Sequence, residues 1–577
     1  MRRRPRTTFL LSFFAILLLA AFSLHLSRNA VSSWRPHSDV DKSPRNNNNN
    51  NIVNDFNRIK RRVSSIDSKD SIPSVSVLLP DWEILVIVSP NTTLSSDEQH
   101  HCFFHNNAKS PAKYSGVLPF TNRTTFKCDM PESVRRRRIF QQPVLVTSEN
   151  ESTDPSPAPE LMRWNFLVYE SFSTEDDVVL FAKGVNHRQG YDRSPKELRC
   201  LFDLGDGVRI RKAVTSSVQE VFRCPHPDPS ESGSDSVYGI SLEIIGENLV
   251  VPSVAYYIPR PMTKPKPKTN SIALVSEAQS KHFLCACTMV YNVAKYLREW
   301  VMYHSKVGVE NFVLYDNGSD DDLEGVIKEL RAEGYNISTL LWIWPKTQEA
   351  GFSHSVLYSN SKGLCTWMMY VDVDEFVFSP SWGDGNLRDK KHEFPSLKPM
   401  LTQQESQLQR GKESTRIGQV SIRCLEFGPS GQRQHPVEGV TQGYTCRRRV
   451  EQRHKSIVLV DGVDPSLWNV IHHFKVNEKE GFRSKQLNME EGLVNHYKYQ
   501  AWDEFKGKFR RRVSAYVVDW TQSVNPKSND RTPGLGFEAI EPKDWTQRFC
   551  EVRDQRLKSL TRAWFGSNGH RMAWQTS

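Results

Sequence analysis

A chain of 577 residues is too long for a single hydrophobic core, so at least two folded regions are expected. Lysine and arginine number 76 against 66 aspartates and glutamates, a formal net charge of +10. The basic residues lie in separate short clusters rather than one stripe, so nucleic acid is not an expected partner.

Arg2, Arg3, Arg4 and Arg6 precede an apolar run over 9–26, broken only by Ser12, Ser23 and His25. That length meets the ~17–25 residues of a membrane span, and the arginines predict a cytoplasmic tail (1–8), a transmembrane signal anchor (9–26) and a translocated remainder. A signal peptide cleaved near Ala20-Ala21 is the competing reading. Residues 27–74 are polar and include six asparagines at 46–51, a stem that cannot bury enough apolar surface to order itself. Ten cysteines and sequons at Asn91, Asn122, Asn150 and Asn336 fit the lumenal, oxidising side of the secretory membranes.

From 75 to 258 the pattern becomes short β-rich runs, such as 84–88, 178–182 and 238–245, separated by Pro, Gly, Asn and Asp. This predicts a β-sandwich-like domain. Cys102, Cys128, Cys200 and Cys224 could staple it, in any of three pairings. The arginines at 135–138 read as a solvated loop or as a site for an acidic polysaccharide. The Pro- and Lys-rich segment within 259–279 reads as an extended linker.

A second domain, 280–550, opens with an apolar strand over 282–290, and 551–577 is left as a tail. Cys285 and Cys287 have no second pair at metal spacing and read as small buried hydrophobes. Asn292 is placed to cap a helix whose Val293, Leu297, Trp300, Val301 and His304 form one stripe, His304 having a structural role at its end. A strand at 311–315, a helix at 323–332 and a strand at 339–343 follow, an alternation that predicts a parallel α/β sheet. Asp316-Asn317-Gly318-Ser319 then lies at the carboxyl end of a strand, where a turn with a carboxylate and amides suits a ribose or uracil. The apolar run 367–371 ends on Asp372-Val373-Asp374-Glu375, on the same predicted edge. Hard divalent cations take carboxylate oxygens and commonly share them with substrate phosphates, so Asp372 and Asp374 form a candidate metal–diphosphate site. An acidic strand end is also what a plain solvated loop looks like; the pairing with Asp316 is what favours a site.

Taken together, Glu299-Trp300-Val301-x-Tyr303-His304, Gly308-Val309-Glu310-x-Phe312, Leu314-Tyr315-Asp316-Asn317-x-Ser319 and Trp367-x-x-Tyr370-x-Asp372-Val373-Asp374-Glu375-Phe376 resemble glycosyltransferase family 92, plant type, which includes β-1,4-galactan synthases. The resemblance covers about 280–520. It implies a GT-A (Rossmann-like) catalytic domain, a UDP-sugar donor, Mn²⁺ or another divalent cation on Asp-x-Asp, an inverting mechanism and a glycan acceptor. Counterparts also occur at 428–431, at 455–458 with 470–473, at 495–497 and at 502–505 with Lys508. His496 is the first candidate for a further metal ligand and His472 the second. Glu438 and Glu426 lie where an acceptor-side base is expected. Asn292-Val293 departs from the Asn-Glu common after the first GT-A strand. The stripe Phe505, Phe509, Val513 and Tyr516 reads as packing. The arginines at 447–449 and 510–512 read as surface charge or as phosphate contacts.

These readings converge on a Golgi single-pass membrane enzyme that transfers a sugar, with galactose expected, to a cell-wall or other glycan. A catalytically silent glycan-binding protein of the same fold is the rival. The chain is compatible with an oligomer.

Overall fold

The computed structural model describes residues 71–90, 92, 94, 99–136, 139–147, 158–186, 191–205, 207–228, 230, 237–259, 281–382, 396–402, 416–470, 472–508, 533–535, 539–567 and 571–575. The expected anchor, nearly all of the stem, the linker, Asn91, Asn150, Arg137, Arg138, Phe509, Val513, Tyr516 and the arginines at 510–512 lie outside them. Among the described residues no helix is long and apolar enough to cross a membrane.

The β-rich region forms three sheets. Strands from Ser71–Ile72 to Met162–Arg163 build an eight-stranded sheet, joined internally by Cys102–Cys128. The three runs singled out in the sequence fall in strands Glu83–Val88, Asp177–Lys183 and Tyr238–Ile244. The last two belong to different sheets, of four and five strands, which face each other across Val168, Leu180, Phe202, Phe222, Ile240 and Leu242. Cys200–Cys224 ties these two sheets together.

The α/β domain begins with β1 (His282–Val290), α1 (Ala294–Lys306), β2 (Asn311–Asp316), α2 (Leu323–Ala332), β3 (Ile337–Leu341), α3 (Gln348–Lys362), β4 (Cys365–Tyr370) and β5 (Glu375–Phe378). It continues with β6 (Arg416–Glu426), β7 (Gln452–Leu459), β8 (Phe482–Gln486), β9 (Leu493–His496) and α4 (Arg556–Phe565). The sheet order is β3-β2-β1-β4-β7-β6-β9-β5, with β8 paired to β6. β3, β2, β1 and β4 are parallel, and β7 turns antiparallel against β4. Period-two alternation divides each central strand between two cores. Leu284, Ala286, Trp367 and Met369 face α1 and α2, whereas Cys285, Cys287, Met368 and Tyr370 face α3 and the N-terminal strands. Both faces are covered, which is why 367–371 carries no polar break.

The second of these cores contains Val179, Phe172 and Phe181 from the β-rich region together with Tyr315, Trp342 and Phe352 from the α/β domain. Burying such side chains contributes roughly 1.5–3 kcal/mol each, so the two regions are joined by a shared interior whatever the linker does. His354 sits among them, its Nδ1 2.8 Å from the Tyr315 hydroxyl, and burial pushes it down to about 3, so it is neutral. His304 is likewise fully buried, its Nδ1–H donating to Trp300 O (2.9 Å), and it is lowered to about 3 by burial, the structural role its place predicted.

Two local expectations are corrected. Asn292 does not cap α1; its φ of 51° turns it away, its Oδ1 accepts from Asp320 N, and Asp321 Oδ2 instead accepts from Ala294 N at 2.8 Å. Cys285 is not simply a buried hydrophobe. It bonds Cys365, joining β1 to β4, while Cys287 remains a free buried thiol. The fourth bond is Cys446–Cys550. Because Cys285–Cys365 closes a separation of 80 residues around the central strands, changing both to alanine should cost about 2–4 kcal/mol, read as a lower unfolding midpoint in denaturant. An unchanged midpoint contradicts this.

Candidate active site

β4 ends at Tyr370, and the chain bends at once. Glu375 N donates to Asp372 O (2.9 Å) while Asp372 N donates to Glu375 Oε2 (2.8 Å), so the Asp-Val-Asp-Glu segment closes on itself. Tyr497 N donates to Asp374 O at 2.9 Å and ties the turn to the end of β9. The bend, not a continued strand, is what turns Asp372 toward Lys455 and His472 and Asp374 toward His496 and Lys508. Glu375 has no free role: it is fully buried and is the residue that locks the turn.

The partners arrive from two strands, a hairpin turn and a helix. Lys455 of β7 lies 3.1 Å from Asp372 Oδ2 and 2.8 Å from Glu375 Oε1. Burial would lower its ammonium, but Asp372 and Glu375 more than offset that and hold it above its usual value. His472 comes from a hairpin turn with φ 70°, its Nε2 2.6 Å from Lys455 Nζ and 3.6 Å from Asp372 Oδ2. On β9, His496 Nε2 stands 3.4 Å from Asp374 Oδ2 and its Nδ1 3.4 Å from Glu375 Oε1. Lys508 also pairs with Asp374 Oδ2. Burial would raise the Asp374 carboxyl, yet Lys508 and His496 hold it well below the usual carboxylate range.

Behind β2, Asp316 Oδ1 accepts from Ser319 N (2.9 Å) and Ser319 Oγ (2.7 Å). Asn317 Nδ2 donates to Trp342 O (2.6 Å) and Trp344 O (3.3 Å), so its amide is engaged. Asn292 N donates to Ser319 Oγ at 3.1 Å, lacing the loops after β1 and β2 together. Burial raises the Asp316 carboxyl above its ordinary value, against the pull of Ser319 and Gly318. β2, β1 and β4 are neighbours and parallel, so the 316–321 loop and the 371–375 turn share one edge of the sheet.

The structure thus sets His472 beside Asp372 and His496 beside Asp374, the two pairs linked through Lys455 and Glu375. It separates the two base candidates. Glu426 ends β6, where β6, β9 and β5 put Glu426, His496 and Glu375 side by side in register. Burial would raise its carboxyl, but Lys498 (2.6 Å), His496 and Arg448 (3.4 Å) hold it below the ordinary value. Glu438 is half exposed and pairs with Arg562 of α4 at 3.0 Å. Arg447 is likewise engaged, with Asp554 at 2.8 Å, and Arg448 is the partner of Glu426, so both serve the fold. Of the sequons, Asn122 and Asn336 are exposed.

Sequence reasoning missed the two lysines as site members. Lys455 left a signal, a lone cation opening the run Lys455-Ser456-Ile457-Val458-Leu459 on a central strand. Lys508 left less, lying one turn after Glu504, which accepts from Tyr296 Oη at 2.6 Å.

Two carboxylates and an imidazole are a hard oxygen and nitrogen donor set of the kind Mn²⁺ and Mg²⁺ take. Among the described residues no group of three or more such side chains converges as a ready cage. The ammonium of Lys508 lies on Asp374 Oδ2, so this carboxylate already meets a positive charge. The donor types are those a divalent cation takes, while the described side chains are paired with lysines rather than gathered around one point.

The model of glycosyltransferase family 92 matches residues 280–531. A glycosyltransferase family 92 protein of rice (Oryza sativa subsp. japonica) is 33% identical over 577 residues, covering 96% of this chain and 91% of that protein. One from Ricinus communis is 35% identical over 537 residues, covering 89% of this chain and 87% of its own length. One from Arabidopsis thaliana is 40% identical over 404 residues, covering 69% and 66% respectively. Both long alignments run through the β-rich region as well as the α/β domain, so the likeness extends beyond the carboxylate turn to the architecture around it. This chain belongs to glycosyltransferase family 92.

Proposed function

We propose that the protein is an inverting hexosyltransferase of GT-A type that moves a sugar, with galactose expected, from a UDP-sugar to a hydroxyl of a cell-wall or other glycan. The observation that carries this reading is the shared sheet edge on which the 316–321 loop and the Asp372–Asp374 turn lie. Asp316 meets the nucleoside, and Asn317 and Ser319 hold its loop in shape. Asp372 and Asp374, with His496 or His472, would hold Mn²⁺. A divalent cation so bound neutralises charge on a departing diphosphate. Lys455 places its ammonium against Asp372 and Glu375 in a buried setting, and Lys508 holds Asp374 ionised. Glu426 is the base for the acceptor hydroxyl, being the one candidate in register with His496. Four disulfides support an oxidising compartment, and with it the reading of a Golgi lumenal enzyme anchored by 9–26 and glycosylated at Asn91, Asn122, Asn150 and Asn336.

The test is UDP release by the purified protein with Mn²⁺ and a glycan acceptor, across a panel of UDP-sugars. One UDP-hexose should be turned over. Glu426→Gln should lower kcat about 10²–10⁴-fold, whereas Glu438→Gln should stay within a few-fold. No release from any donor by a protein that still binds glycan would make it a silent binder instead.

A further inference from the structure

The β-rich region does more than share a core with the α/β domain. Two of its strands, Lys109–Leu118 and Arg123–Asp129, run antiparallel with Lys113 directly opposite Lys127. Like charges opposite one another across a strand pair are destabilising. Such a pair needs anionic surroundings. Lys127 finds Glu83 at 3.5 Å within its own sheet, and Lys113 reaches across to Asp320 Oδ1 at 3.1 Å.

Asp320 belongs to the loop after β2, the same loop that carries Asp316 and Ser319. Lys127 approaches that loop too. Its side chain is only 10% exposed, and a Cβ added at Gly318 would lie 3.2 Å from its Nζ. Gly318 has φ +79°, so a side chain there would be strained, and its Cβ would crowd the lysine. The approach has a fixed origin: Gly116, two residues after Tyr114, lies so close to β3 that a Cβ there would be 3.2 Å from Leu341 Cδ2. The N-terminal sheet therefore lies beside edge strand β3 and presents two ammonium groups to the 316–321 loop.

Further ties come from the loop after β1. Tyr291 Oη donates to Asp320 Oδ2 (3.4 Å), and Asp320 N donates to Asn292 Oδ1 (2.7 Å). Asp320 is thus held from both sides, by the loop after β1 and by a lysine of the β-rich region.

We infer that Lys113 and Lys127 are positioning residues for the donor nucleotide, so that the β-rich region forms part of the nucleotide side of the active site rather than a separable glycan-binding appendage. They act through the 316–321 loop, on the affinity for a nucleoside diphosphate, and not on the sugar-transfer step. This inference rests on the proposed function, since it takes that loop to be the nucleoside side of the site.

The experiment measures UDP binding to the purified protein by titration calorimetry, and KM and kcat for the donor sugar, in wild type, Lys113→Ala, Lys127→Met, Asp320→Ala and the exchange Lys113→Asp with Asp320→Lys. An exposed ion pair contributes modestly, so Lys113→Ala and Asp320→Ala should each weaken UDP binding and raise donor KM by about two- to fivefold, with kcat within twofold. Lys127→Met, which removes a buried cation, should do so by about tenfold. The exchange should restore at least half of the affinity lost on Lys113→Ala. A merely structural role would lower the unfolding midpoint without separating KM from kcat and would give no rescue. Wild type that binds UDP, beside variants of unaltered affinity, overturns this inference alone. Wild type that binds no UDP overturns the functional reading, and this inference with it.

Discussion

Replacing Asp374 with alanine should lower kcat for UDP release by about 10²–10³, the size expected when one preorganised electrostatic contact to a leaving group is lost. The carboxylate is buried and flanked by His496 at 3.4 Å, and it is held ionised by Lys508. Alanine removes a charge that would help hold a cation, yet it leaves the turn intact. The Asp372–Glu375 bonds do not involve the Asp374 side chain, and the tie to Tyr497 uses its carbonyl. Lys508, about a quarter exposed, can turn toward water. Activity should therefore fall with little change in the unfolding midpoint. A variant that keeps wild-type kcat would show that this carboxylate does not serve the reaction.

Lys455→Met should have the largest effect on stability. Its ammonium is buried between Asp372 and Glu375, and Glu375 is itself completely buried. Removing one partner of a buried ionic group leaves uncompensated charge and costs about 3–5 kcal/mol. Adding Glu375→Gln should recover part of the loss, because the two side chains share one contact. Denaturant unfolding of both variants beside wild type measures the two effects. A double variant no more stable than Lys455→Met would mean that the lysine acts through packing alone.

The strands that build the site were readable because their physics is local. The runs 282–290, 311–315 and 367–371 are apolar without a break, and each ends on the polar turn that carries chemistry. Strand 311–316 and helix 323–332 lie where periodicity put them, and the strand expected at 339–343 begins two residues earlier. The arrangement of the β-rich region was not readable. Phe172, which faces the α/β domain, and Phe222, which faces its own partner sheet, look alike in a strand pattern. Only tertiary structure decides which core each joins. His472 lies beside Asp372 and His496 beside Asp374, two contacts between residues a hundred or so positions apart that motif order alone could not pair. Lys455 was missed because a lysine among the polar residues that open its strand gives no indication of its partners, of which Asp372 and Glu375 lie far earlier in the chain. Glu438 was drawn in by its position near the Gly-Pro-Ser-Gly segment, and a long-range contact with Arg562 holds it against α4 instead. The pairing of Cys285 with Cys365 was invisible for the same reason, since it depends on β1 and β4 lying side by side.

The most direct test of the donor-site assignment is the dependence of UDP release on divalent cation. The purified protein is stripped with a chelator, supplied with the UDP-hexose it turns over and a glycan acceptor, and titrated with Mn²⁺ or Mg²⁺. The account predicts that turnover is lost on chelation and returns with added cation in wild type, and that Asp374→Ala shows little recovery at any cation concentration. Turnover that survives chelation, or that Asp374→Ala recovers as fully as wild type, would contradict the assignment of the Asp372–Asp374 turn as the metal–diphosphate site.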